Sequence, residues 1–336
     1  MIRTMNVKLL GALAALLCVS ALSGAQTQTK LTIYGIKGSS SVALIRLFEQ
    51  PPQVAGYEIK AEALAQADLL AALFISGEAK IGILPPNIAA KIASSGKNIQ
   101  IAAVTGNGML SLLSGDPAVR RIEDLKGKTV EVTGRGATPD FVFRKILLSK
   151  GIVPGRDINL SYALAYPETA QALASGRIKL ALIPEPFATV ARAGNPQLAV
   201  VGDIQAEWRN LRGGNSSSTS GITADNYPMT ALVVDAEFAA ANSALVDNIL
   251  RSAKESVEWV QANPVDAGIL AEKHGLGLRA ALLAQAIPNS NYVFIPLPQA
   301  RPALETLFEA FLEFAPASIG GALPASNFYY SSGVIP

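Results

Sequence analysis

Short apolar runs alternate with helical patterns along most of the 336 residues, and no other feature narrows the possible folds as far. A strand buried on both faces reads as a continuous apolar run, and parallel neighbours need a crossover of a dozen or more residues, usually a helix. The pattern therefore predicts an α/β chain with mixed, mainly parallel sheets flanked by helices. Residues 31–34 read as the first strand and 41–50 as the first helix. A helix over 66–76 is stopped by Gly77, a buried strand follows at 80–84, and Pro85-Pro86-Asn87 opens a helix closed by Gly96. Ile99, Ile101 and Ala103 alternate as a further strand.

A second unit repeats this logic. The strand at 129–132 runs into the loop Thr133-Gly134-Arg135-Gly136-Ala137, then a helix over 141–150 with Thr138 as N-cap, Pro139 at the first position and Gly151 past the end. Ser76-Gly77-x-x-Lys80-Ile81-x-x-x-Pro85 is echoed by Ser175-Gly176-x-x-Lys179-Leu180-x-x-x-Pro184, so two halves are built alike. Later, 244–262 forms a long helix broken at Asn263-Pro264, and Leu304, Leu307, Phe308, Phe311 and Leu312 stripe one face of another. Residues 213–221, rich in Gly and Ser, read as a surface loop on the return from the second half to the first.

In open α/β sheets ligands gather where strands end, which singles out five segments. They are 35–40, 85–87, 105–107, 134–138 and 184–186. The first and fourth put glycines and hydroxyls at a helix start, where free N–H groups suit a carbonyl, carboxylate or sulfonate; ordinary capping is the competing role. Several net hydrogen bonds of about 1 kcal/mol each, in a closed cleft, approach the roughly 8 kcal/mol of a micromolar site. Glu185, between two prolines, suits either acceptance from an amine, amide or pyrimidine, or capping of the next helix. Asn87 has the same two options. Tyr34, Tyr166, Phe187 and Tyr227 are candidates for stacking on a flat ring, with core packing as the alternative, and Arg135 suits either an anion or solvent.

The chain begins with the basic, apolar and small-residue order of an export signal over 1–25, so cleavage after Ala25 is expected. The only cysteine, Cys18, lies inside that signal, preceded by the bulky Leu17; cleavage at Ala25 removes it, and lipidation at Cys18 is the alternative. Without Arg3 and Lys8 the 26 remaining basic residues match the 26 acidic ones, which argues against a nucleic-acid partner. The about 310 residues left exceed one ordinary core and predict two lobes. The one histidine, His274, sits before Gly275 at a predicted helix end and reads as a cap. A His-dependent nucleophile pair has no other imidazole to use. Gly134-Arg135-Gly136 has proline where a dinucleotide fingerprint needs its third glycine. No catalytic residue, cofactor or metal site is therefore expected.

Five fragments then carry a resemblance: Ile122-Glu123-Asp124-Leu125-Lys126-Gly127-Lys128, Gly134-Arg135-Gly136-Ala137-Thr138-Pro139-Asp140, Ala174-Ser175-Gly176-Arg177-Ile178, Pro184-Glu185-Pro186-Phe187-Ala188 and Tyr227-Pro228-Met229. In order and spacing the chain resembles the solute-binding proteins of ABC importers for aliphatic sulfonates, nitrate, taurine and thiamine-pyrimidine precursors. The likeness runs from about Lys30 to Tyr330. It implies a two-lobed type II periplasmic binding fold, with lobe one at 28–108 and 223–330 and lobe two at 109–222. It implies a monomer that captures a small polar solute, delivers it to an ABC permease in the inner membrane, and works in the periplasm without catalysis. The ligand contacts it implies fall on Ser39, Ser40, Asn87, Thr105, Gly136, Thr138 and Glu185, to which the strand-end position of Tyr227 adds an aromatic. The same fold carries thiamine-pyrimidine synthases that use histidine and cysteine, and a receptor's ligand-sensing domain is a further alternative.

Overall fold

The computed structural model describes residues 28–211, 226–297 and 299–331. The expected export signal with Cys18, and the expected loop at 213–221, lie outside these residues.

The chain opens with β1 (Thr29–Ile36), the short helices α1 (Ser39–Val42) and α2 (Ile45–Glu49), β2 (Tyr57–Leu64), α3 (Ala67–Ser76), β3 (Ile81–Leu84), α4 (Pro86–Ser94) and β4 (Ile99–Asn107). It then crosses into β5 (Leu110–Ser114), β6 (Thr129–Val132), α5 (Thr138–Ser149), β7 (Asn159–Ser161), α6 (Tyr166–Ala174), β8 (Leu180–Pro184), α7 (Phe187–Gly194), β9 (Ala199–Asp203) and α8 (Ile204–Leu211). The return supplies β10 (Pro228–Asp235), α9 (Ala236–Ala241), α10 (Ser243–Ala262), α11 (Pro264–Lys273), α12 (Ala280–Ala286), β11 (Tyr292–Pro296) and α13 (Arg301–Phe314).

These strands form two mixed sheets, ordered β11-β4-β10-β3-β1-β2 and β7-β6-β8-β5-β9. The repeat seen in the sequence maps onto equivalent places. Gly77 (φ 84°) and Gly176 (φ 72°) end their helices in the left-handed region that glycine enters without penalty. The strands that follow, β3 and β8, are buried throughout and each lies between one parallel and one antiparallel neighbour. Each fully buried Leu, Ile or Val in such a strand contributes about 1.5–3 kcal/mol of transfer free energy, which explains why strands buried on both faces carry the apolar runs. The fold is thus two α/β lobes, as the sequence predicts.

Two local expectations are corrected. The helix expected over 41–50 starts earlier, at Ser39, and is two pieces, interrupted at Ala43 and Leu44, where the Leu44 N–H turns back to the Ser41 carbonyl at 3.2 Å; ahead of the break Ser40 and Ser41 both donate their hydroxyls to the Ile36 carbonyl, at 2.9 and 2.7 Å. Thr138 is not the N-cap of α5. Ala137 occupies that place, and the Thr138 hydroxyl has a partner in the other lobe. The N–H of Gly136 is taken instead by the Asp140 carboxylate, at 3.0 Å.

Candidate functional site

The lobes meet where β4 crosses into β5. Asn291, the non-glycine residue with positive φ (44°) among those described, donates from Nδ2 to the Gly108 carbonyl at 2.8 Å, and its own carbonyl accepts from the Asn107 N–H at 3.2 Å. These bonds bring the start of β11 against the crossover. Tyr292, next in the chain, thereby reaches the loop after β1: Ser39 Oγ lies 3.5 Å from its hydroxyl and 2.8 Å from Met109 Sδ.

The second lobe supplies the opposing wall. The Glu185 N–H donates to the Met109 carbonyl at 2.9 Å, placing this carboxylate beside the crossover. Its Oε2 accepts the Thr189 N–H at 3.0 Å, so the capping role is real. Burial raises its pKa against the pull of Thr189 and of the more distant Arg192. Tyr292 is raised to about 12, chiefly by its own burial, with the Glu185 charge acting in the same direction. Phe187, two residues after Glu185, stacks on Tyr166 at 5.5 Å between centroids and 13° between planes. The Phe187 ring also closes on Gly38 of lobe one, where an added Cβ would meet it at 3.2 Å. Tyr166 fills the space beside Gly134, its hydroxyl 2.9 Å from where a Cβ would stand, and burial raises it to about 12.

A second seam joins the two lobes. Asn87, at the start of α4, donates from Nδ2 to the Gly136 carbonyl at 2.9 Å and accepts from Thr138 Oγ1 at 3.2 Å. Phe141 of α5 packs against Phe311 and Phe314 of α13, with centroids 5.3 and 6.2 Å away, and Lys145 pairs with Glu313. Helices α7 and α12 pack together across the lobes as well. The described arrangement is therefore a closed one.

The expected site residues divide into three groups. Ser39 and Glu185 come together at the crossover, joined by Tyr166 and Phe187 from the aromatic candidates. Asn87, Gly136 and Thr138 also come together, but bond to one another. Ser40 holds the Ile36 carbonyl, Thr105 shares a 3.1 Å hydrogen bond with Thr230 inside the first sheet, and Tyr227 is fully buried with its ring edge-on to Trp208 at 5.7 Å. Arg135 lies over the Tyr162 ring, 5.3 Å from its centroid. His274 follows the last residue of α11 and bonds Glu49 at 2.8 Å. Tyr292 and Met109 escape sequence reasoning: Met109 stands two residues past the segment 105–107, and Tyr292 follows no strand recognised in the sequence. The positive-φ Asn291 next to Tyr292 is the local signal, visible only once the backbone is known.

Gathered around the crossover are one carboxylate, hydroxyls, a thioether and a pair of stacked rings, groups of the kind that hold a flat polar molecule. Among the described residues, no group of three or more His, Cys, Asp and Glu could hold a metal ion, and no helix is long and apolar enough to cross a membrane.

Comparison with known proteins agrees with this architecture. An ABC transporter protein from Parabacteroides distasonis superposes with a TM-score of 0.73 at 22% identity, covering 90% of this chain and 99% of that one. The periplasmic aliphatic sulphonate binding protein SsuA from Escherichia coli gives 0.68 at 16% identity, covering 91% and 94%. The periplasmic nitrate-binding protein NrtA from Synechocystis PCC 6803 gives 0.64 at 12%, covering 89% and 83%. No curated protein sequence matches the chain. The model of the NMT1-like family matches residues 78–272, more than half of the sequence, and the chain belongs to that family.

Proposed function

We propose that this protein is the extracytoplasmic solute-binding component of an ABC importer: it closes two lobes on a small solute and hands it unchanged to a permease. The observation that carries the reading is the convergence of Ser39 and Tyr292 from one lobe with Glu185 from the other at the crossover. Polar groups from both sides gain strength together when closure excludes water between them. The superposed sulphonate- and nitrate-binding proteins support the same use of the fold. In this reading lobe one comprises 28–108 and 223–330, lobe two 109–222, and the protein works as a monomer in the periplasm, released from an export signal over 1–25.

The charge at this crossover bears on the solute. Glu185 favours a hydrogen-bond donor, such as an amine, an amide or an amino-heterocycle, and opposes an anion like sulfonate or nitrate. The parallel Tyr166 and Phe187 rings favour a flat molecule. A thermal-shift panel of sulfonates, nitrate, amines and heterocycles, followed by mass spectrometry of the recovered solute, tests this. Stabilisation by one class with recovery of the intact compound is expected; turnover of the compound would instead favour an enzyme, and no stabilisation by any class would count against binding.

A further inference from the structure

We propose that Asn87 is a closure latch between the lobes and that Asp140 is the residue that positions the loop it grips. Asn87 is 1% exposed, and both ends of its amide are engaged by lobe two: Nδ2 donates to the Gly136 carbonyl at 2.9 Å and Oδ1 accepts from Thr138 at 3.2 Å. These are the bonds a solute would otherwise claim, so Asn87 acts on affinity through the closed population and not through solute contact.

The gripped loop turns on two glycines, with the Ala137 N–H bonded back to the Gly134 carbonyl at 3.0 Å. Gly134 (φ 79°) and Gly136 (φ 71°) both lie in the left-handed region, and nothing stands within 4 Å of where a Gly136 side chain would start. Asp140 adds a constraint at Gly136 itself: Oδ2 accepts the Gly136 N–H at 3.0 Å, while Oδ1 accepts Arg144 Nε and the Tyr162 hydroxyl, each at 2.7 Å. Arg144 closes the triangle by donating to the Tyr162 oxygen at 2.8 Å, and the Arg135 guanidinium covers the same ring. One residue, Gly136, thus carries the bond to Asp140 on its N–H and the bond to Asn87 on its carbonyl. The latch rests on the closure reading above, and its test needs no solute.

The test places spin labels on exposed positions of the two lobes, Lys91→Cys and Arg177→Cys, in the full chain with Cys18→Ser, and measures the interlobe distance distribution without added solute. The unmodified latch is expected to show a short-distance population. Asn87→Ala should lower its ratio to the open population about thirtyfold, since two net hydrogen bonds amount to about 2 kcal/mol. Asp140→Asn should lower it less, and should add nothing on the Asn87→Ala background, a coupling that a merely structural role would not produce. Tyr162→Phe serves in its place if Asp140→Asn does not fold. A distribution with no short-distance population, one that Asn87→Ala leaves unchanged, or strictly additive effects would overturn the proposal; failure of the solute panel would leave this result standing.

Discussion

Replacing Glu185 by glutamine separates the cost of keeping a carboxylate in the cleft from its use there. Burial raises this group above its ordinary value of 4.5, with Thr189 and Arg192 opposing. The folded protein therefore holds the proton more tightly than the unfolded chain, so this contribution favours the fold below pH 4.5 and is lost as pH rises through the folded value. At pH 7 the carboxylate is a liability to the solute-free protein. The glutamine oxygen still accepts the Thr189 N–H, so the substitution removes the charge and keeps the cap. A gain of about 0.5–2 kcal/mol is expected, the usual yield of relieving an unfavourable feature at a binding site, and about 2–4 °C in Tm for each kcal/mol. The Tm difference between variant and parent should grow from acid to neutral pH. Solute affinity should move the other way, falling about tenfold to a hundredfold, because a hydrogen bond to a charged group contributes about 1.5–3 kcal/mol. Differential scanning fluorimetry across pH and a titration with the identified solute provide both readings. A variant that melts lower at pH 7 and binds as tightly as the parent refutes the reasoning.

Three further substitutions probe the scaffold. Phe141→Ala removes the ring that meets Phe311 and Phe314 across the lobes. With about 0.5–1.5 kcal/mol for each aromatic pair beyond burial, it should raise the solute dissociation rate at least severalfold, measured by stopped-flow displacement. Gly35→Ala would drive a methyl group onto Ser41 Oγ and within 2.9 Å of Phe48, where the Ser41 hydroxyl is already committed to Ile36. Overpacking of that kind costs about 1–3 kcal/mol, to be read as a lowered Tm. Tyr292→Phe removes the hydroxyl that faces Ser39 and should weaken binding by about fivefold to tenfold at unchanged pH dependence, one net hydrogen bond's contribution, by calorimetric titration.

The fold was legible where strands bury apolar side chains: β3 and β8 carry unbroken apolar runs, while β4 and β6 bury Ile99, Ile101 and Ala103, and Val130 and Val132, at alternate positions. By contrast β2, Tyr57–Leu64, escaped notice. Its exposed and half-buried positions hold Glu58, Lys60 and Glu62, so it lacks the continuous apolar signal. Helix ends marked by Gly77, Gly96 and Gly151 were legible because a positive φ leaves a mark in residue type. Partnership across the lobes leaves no such mark. Thr138 has the right residue type for a cap, yet its hydroxyl reaches Asn87, fifty-one positions away, and Asp140 takes over the loop's N–H. Glu185 was readable from its strand-end position between prolines, but Tyr292 enters the site through a turn far along the chain, where local pattern says nothing of what it will face.

The claim on which the account depends is closure around a solute that is not altered. Recovering the molecule bound to the purified exported chain by mass spectrometry, then returning it while following the interlobe distance, tests that claim in one experiment. The account predicts one intact solute per chain and a shift of the distance distribution to its short component. Recovery of a chemically changed product, or saturation with no change in distance, would contradict it.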